Sequence, residues 1–280
     1  MKKIKYFLLT KTIGFGLNFK GYFQPAKAAA KAYQLFSEPR RGQLTEGNLP
    51  EMLQNVPTQV FAVGEHYFKT YVWQGNSNVI LLVHGWESNT SRWEKLLPYL
   101  QQTGSTIVAL DAPGHGLSGG KEFNVIKYAS YIDVAVKAYK PNVLIGHSIG
   151  GAACIYHQSH FGTDNLEKMV ILGAPSEFQN ILKNYVQLLS LNKRMKKHLE
   201  SHFSKKFDLE INSFSSSTFA QKIKISGLII HDIDDKIVAF DEGQKIANSW
   251  NNSAFIETKG LGHSLHSEEI YQKIIRFISS

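Results

Sequence analysis

Residues 142–151 read Asn-Val-Leu-Ile-Gly-His-Ser-Ile-Gly-Gly, and no other stretch restricts the fold as much. Val143 to Ile145 is an apolar run that stops at Gly146. After Ser148 come Gly150, Gly151 and the small or apolar residues Ala152 to Ile155. The pattern predicts a buried strand, a sharp turn and a helix packed close to that strand. A serine on so tight a turn has a strained backbone, and only residues without side chains fit beside it. The strain would lift the Ser148 hydroxyl above the end of a sheet. The helix N-terminus behind it would offer unpaired N–H groups and the positive end of its dipole. Gly-x-Ser-x-Gly alone is weak, because an ordinary strand–turn–helix connection can carry it; the flanking strand and helix add the weight.

Similar apolar runs recur along the chain. Val79 to Val83 ends at His84-Gly85-Trp86, and Thr106 to Leu110 ends at Asp111-Ala112-Pro113-Gly114-His115-Gly116-Leu117-Ser118. Lys168 to Leu172 ends at Gly173-Ala174-Pro175, Gly227 to Ile230 at His231 to Asp235, and Ser253 to Glu257 at Lys259 to His263. Continuously apolar strands are buried on both faces. Helical segments separate them: from Ser91, with Glu94 as a capping-box partner, through Leu100; Val125 to Tyr139; about 149 to 160; Asp241 to Trp250; and Ser267 to Ile278. Gly75 to Asn78 reads as a turn. Strands alternating with helices make an α/β fold, a mostly parallel central sheet flanked by helices.

The alternation breaks between about 176 and 221. Phe178, Ile181, Leu182, Tyr185 and Leu188 have helical spacing, and Met195, Leu199 and Phe203 recur every fourth residue among Lys193, Arg194, Lys196 and Lys197. Two amphipathic helices, a small helical cap inserted in the sheet domain, are expected there. The domains are then residues 1–58 as a basic N-terminal extension, 59–175 with 222–280 as the core, and 176–221 as the cap.

Seven lysines, Lys2, Lys3, Lys5, Lys11, Lys20, Lys27 and Lys31, precede the first acid, Glu38, with Tyr6, Phe7, Phe15, Phe19, Tyr22 and Phe23 among them. The apolar run between Lys5 and Lys11 is shorter than the roughly 7–15 residues of a secretory signal core. No stretch approaches the roughly 20 apolar residues of a membrane-spanning helix. Pro25 to Ser37 reads as a helix, with proline in its first turn and Pro39 after it. The segment is expected to pack on the domain, or else to contact an anionic membrane through residues 1–36. A cytoplasmic protein, peripheral at the membrane in the second case, is expected. The formal charge is +8, but no zinc-ligand spacing or RNA-binding signature goes with it, so no nucleic-acid partner, metal or cofactor is expected. Cys154, the single cysteine, rules out an intrachain disulfide and reads as a packing residue.

The polar candidates lie just past the C-terminal ends of the strands, where open α/β sheets place their sites. A serine hydroxyl needs a base to take its proton, and a histidine base needs an acid to fix its tautomer. His263 follows the last strand and Asp235 the strand before it, giving the order Ser148, Asp235, His263. Asp232, Asp234 and Glu177 are rival acids. His84 and His115 read as loop-bracing residues.

These motifs, His84-Gly85-Trp86, Asp111 to Ser118, Gly146 to Gly151, His231 with Asp235 and Val238, and Gly262-His263, resemble those of the α/β-hydrolase-fold serine hydrolases over roughly residues 60–280. One departure is Ala239, where many relatives carry proline. The resemblance implies a Ser148–His263–Asp235 triad and an oxyanion hole from the backbone N–H groups of Trp86 and Ile149. Trp86, His147, Phe178, Ile181, Leu182 and Tyr185 are candidates for the substrate pocket. Hydrolysis of carboxylic esters with short to medium acyl chains through an acyl-enzyme is expected, with a small-molecule ester as partner. Thioester or carbon–carbon hydrolysis, aminopeptidase action and acyl transfer would use the same triad, and a non-catalytic binding module is the third class.

Overall fold

The computed structural model describes residues 2–280, with side chains from Ile4 onward. In chain order the helices are α1 (Lys2–Phe23), α2 (Pro25–Ser37), α3 (Leu97–Gln101), α4 (Val125–Tyr139), α5 (Ile149–His160), α6 (Phe178–Leu189), α7 (Lys193–Phe207), α8 (Ser216–Ala220), α9 (Phe240–Ser249) and α10 (Glu268–Ser279). The strands are β1 (Thr58–Val63), β2 (His66–Trp73), β3 (Asn76–Val83), β4 (Ser105–Leu110), β5 (Val143–His147), β6 (Lys168–Leu172), β7 (Ser226–Asp232) and β8 (Ser253–Thr258). The chain divides into two units, Pro39–Ser176 with Ser216–Ser280, and Met1–Glu38 with Glu177–Ser215.

The first unit holds one eight-stranded sheet in the order β1-β2-β4-β3-β5-β6-β7-β8. β1 pairs antiparallel with β2, and β2 with β4; every other pairing is parallel. The central strands are the continuously apolar runs, and they are buried because helices cover both faces. On one face Ile80, Ile107, Ile145, Val170 and Ile230 form a core with Trp93, Leu97, Ile270 and Ile274. On each side of β3 the chain continues to a different neighbour, β4 or β5, and this reversal opens a crevice at the strands' carboxyl ends. β5 delivers Ser148 there.

Two local expectations change. β3 starts at Asn76, inside the expected turn, with a register shift before Val79. The helix expected from Ser91 is a 3₁₀ turn, Thr90–Trp93, and a short α3. Its cap is Asn89, whose side chain accepts from the Ser91 N–H at 2.9 Å, and the Ser91 hydroxyl donates to the same oxygen instead of capping.

In the second unit, α1 and α2 share one apolar core with the inserted helices, so the first part of the extension expected over 1–58 is not a separate element. Ala28, Ala29 and Ala32 of α2 are buried with Met195, Leu199 and Phe203 of α7, and Leu17 of α1 with Leu182 and Leu189 of α6. Lys11 donates to the Leu188 carbonyl at 2.9 Å and to the Ser190 hydroxyl at 2.8 Å. Asn18 donates to the Ser190 carbonyl at 2.9 Å. A cation and an amide thus satisfy the last carbonyls of α6. Residues 39–58 fall in the sheet unit, where Leu53 is buried.

Candidate active site

Ser148 is the N-cap of α5 with φ +55° and ψ −131°, a left-handed backbone forced on a residue with a side chain. Its N–H donates to the Leu172 carbonyl at 2.8 Å, which ties the turn to β6. Gly146 is required by close approach. A Cβ there would sit 2.6 Å from the Gly151 Cα and 2.8 Å from the Cys154 sulfur. Those contacts bring α5 tightly against β5. Cys154 is fully buried, and burial pushes its thiol up well beyond the ordinary range.

The structure brings Ser148, His263 and Asp235 into one hydrogen-bonded line. Ser148 Oγ lies 2.9 Å from His263 Nε2, and His263 Nδ1 lies 2.7 Å from Asp235 Oδ2. Burial would raise the Asp235 carboxyl. Hydrogen bonds from His231, His263 and the Val238 and Ile237 N–H groups outweigh it and hold the group well below the usual carboxylate range. An ionised acid next to Nδ1 fixes the tautomer that leaves Nε2 free to accept a proton.

The rival acids are committed elsewhere. Asp232 accepts from the Thr258 hydroxyl at 2.7 Å and the Leu261 N–H at 3.0 Å, and Asp234 accepts from the Gly260 N–H at 3.1 Å. Both shape the loop that carries His263. Glu177 belongs to the helical unit and accepts from the Ser215 hydroxyl at 2.8 Å.

The loop after β3 lies directly against the serine. A Cβ on Gly85 would come within 2.9 Å of the Ser148 Cβ, so only glycine lets Trp86 follow so closely. His84 and His115 brace this loop from beneath. His84 Nδ1–H donates to the Gly85 carbonyl and its Nε2 accepts from the Ala112 N–H. His115 Nδ1–H donates to the Pro113 carbonyl and its Nε2 accepts from the Glu87 N–H. Each ring must stay neutral to accept, and burial lowers their pKa values to about 4 and about 3. Asp111, fully buried, accepts from the Thr90 N–H and hydroxyl, the Leu117 N–H and the Tyr71 hydroxyl, which pins the two loops together.

Residues 78–221, about half of the chain, match the alpha/beta hydrolase fold family. The chain belongs to this family of hydrolases. A bifunctional esterase/perhydrolase of Acinetobacter calcoaceticus is 24% identical over 260 residues, covering 72% of this chain and 92% of that one. A non-heme haloperoxidase of Rhodococcus erythropolis is 30% identical over 104 residues, covering 36% of this chain and 38% of the relative. The crystal structure of a bromoperoxidase from Bacillus anthracis superposes with a TM-score of 0.63 at 19% identity, covering 80% of this chain and all of that one.

For this alpha/beta hydrolase the expected pocket residues part company. His147 is buried, and its Nε2–H donates to the His263 carbonyl at 2.9 Å, so it holds the histidine loop. Trp86 is half-buried against His115 and Phe123. Leu182 lies in the core of the helical unit, and the Tyr185 hydroxyl donates to the Ala32 carbonyl at 2.8 Å. Phe178 packs on Phe36 and Phe203 of the same unit. The apolar face of α6 is thus largely spent on its own unit, and Ile181 stays half-buried. Sequence reasoning gives no sign of Arg92, whose guanidinium donates to the Ser264 carbonyl and to the His266 ring and so clamps the turn after His263.

Proposed function

We propose that the chain hydrolyses carboxylic esters of short to medium acyl chain through an acyl-enzyme on Ser148. The observation that carries this is the unbroken hydrogen-bond line from the Ser148 hydroxyl through His263 to an ionised Asp235. Ser148 Oγ attacks the ester carbonyl carbon while its proton passes to His263 Nε2. The developing oxyanion is met by the N–H groups of Ile149 and Trp86. The first opens α5 and has no carbonyl within the helix to bond; the second follows the glycine pressed against Ser148. Two fixed donors there contribute a few kcal/mol of transition-state stabilisation. His263 then returns its proton to the departing alkoxide, which leaves as an alcohol. Water, deprotonated by His263, attacks the acyl carbon, and Ser148 leaves with the proton.

A second reading shares the acyl-enzyme. Two relatives named esterase/perhydrolase and haloperoxidase favour a test of hydrogen peroxide in place of water as the attacking group, which would yield a peracid. Thioester hydrolysis, carbon–carbon hydrolysis, aminopeptidase action and acyl transfer remain further uses of one arrangement. The experiment is a series of nitrophenyl esters and acyl-CoA thioesters of increasing chain length, with and without peroxide, beside fluorophosphonate labelling. Labelling of the wild type and none of Ser148→Ala is expected, with the highest kcat/KM among short or medium esters. Equal labelling of the alanine variant would remove Ser148 from the mechanism. Labelling without turnover of any ester would leave the nucleophile and sink the esterase reading.

A further inference from the structure

From Thr10 onward helix α1 has two opposed faces; before it the described residues, Tyr6, Phe7 and Leu9 among them, are exposed all round. At 3.6 residues per turn, Thr10, Gly14, Leu17 and Gly21 share one side, and all are buried. Ile4, Leu8, Phe15, Phe19, Tyr22 and Phe23 share the other, with relative exposures of 64, 58, 73, 61, 56 and 73%. A contiguous apolar surface of this kind marks an interaction site. The charge of the chain points to its occupant. The helical unit carries 14 basic and 5 acidic residues, the sheet unit 17 and 18, so the whole excess of positive charge belongs to the helices. Lys5 and Lys20 lie on one side of the apolar stripe. The Arg194 guanidinium of α7 stands 4.9 Å over the Tyr22 ring, at its edge. Among the described residues no helix is long and apolar enough to cross a membrane.

We propose that this face of α1 docks on an anionic lipid bilayer. The helix would lie in the interface plane, with its aromatic side chains among the acyl-chain ends and its lysines against lipid phosphates. A second copy of the chain fits less well. Two such faces laid together would oppose Lys5 and Lys20 to their own kind, and α1 has no carboxylate to offset them. The side chains of Lys2 and Lys3 lie outside the described residues; their charge adds the same sign.

The test is co-sedimentation of the full chain with vesicles of phosphatidylcholine alone or mixed with phosphatidylglycerol. Binding to the anionic vesicles that weakens with added salt is expected. Phe15→Asp with Phe19→Asp should abolish it, and Lys5→Glu with Lys20→Glu should weaken it about tenfold or more. Both pairs are on the exposed face, so circular dichroism and labelling at Ser148 should be unchanged. No binding to anionic vesicles, or binding that the Phe15→Asp, Phe19→Asp variant retains, would overturn the proposal. So would a wild-type dimer by light scattering that this variant converts to monomer, since a second copy would then cover the face.

Discussion

Asp235, Asp232 and Asp234 stand within four residues of one another and do different work. Asp235 reaches His263, whereas Asp232 holds the Thr258 hydroxyl and the Leu261 N–H. Asp235→Asn should therefore lower the fluorophosphonate labelling rate and kcat by roughly 10⁴-fold, because an amide leaves His263 in the wrong tautomer. Asp232→Asn should lower the melting temperature and affect turnover far less. If the two variants exchanged these effects, the acid would have to be reassigned. Asp235 could be read from the chain by its place after β7 and its count back from Val238. His84 and His115 read as loop braces, and each ring bonds backbone groups of the loops at the strand ends. Arg92 and the backbone-holding role of His147 were not legible, because their partners are carbonyls and a ring about 115 to 175 residues distant in sequence.

Among the elements, α1 departs most from the sequence reading. Its apolar residues point in all directions, so no amphipathic period stands out, and Gly14, Gly16 and Asn18 look like punctuation. The structure gives Gly14 and Gly16 opposite meanings. A Cβ on Gly14 would run into the Leu189 carbonyl of α6, whereas one on Gly16 would meet nothing. Gly14→Ala should destabilise the helical unit by about 1–3 kcal/mol through overpacking. Gly16→Ala should stabilise it by roughly 0.5–1 kcal/mol through helix propensity. Limited proteolysis within residues 1–38 reports both; equal protection in the two variants would refute the close helix contact. By contrast α2 matched its expected limits, residues 25–37, because Pro25 opens it and Pro39 follows it.

For the whole molecule, the buried neutral rings govern the acid limb of stability. His84 and His115 have folded pKa values of about 4 and about 3, below the ordinary 6.5, in each case chiefly through burial. Above about pH 6.5 they bind no proton in either state and take nothing from stability. Below it the unfolded chain takes up protons that the folded chain refuses, so stability falls as pH drops from about 6.5 toward 4, by up to about 1.4 kcal/mol per pH unit for each ring. Urea titrations at pH 7.5 and 5.5 should show the midpoint falling, with proton uptake on unfolding; a constant midpoint would mean that these rings are not held neutral.

The helical unit is assembled from two distant stretches of chain, and this bears on how the protein is made. Residues 1–38 leave the ribosome well before the segment beginning at Glu177 that completes their core. At ordinary elongation rates the wait is roughly ten to thirty seconds. During that time the buried faces of α1 and α2 lack the α6 and α7 side chains that cover them in the folded chain. A chaperone or a lipid surface that engages α1 on its outward side would leave Gly14 and Leu17 free for the late-arriving helices. The order of synthesis therefore leaves α1 without its later partners before Ser148 has been translated.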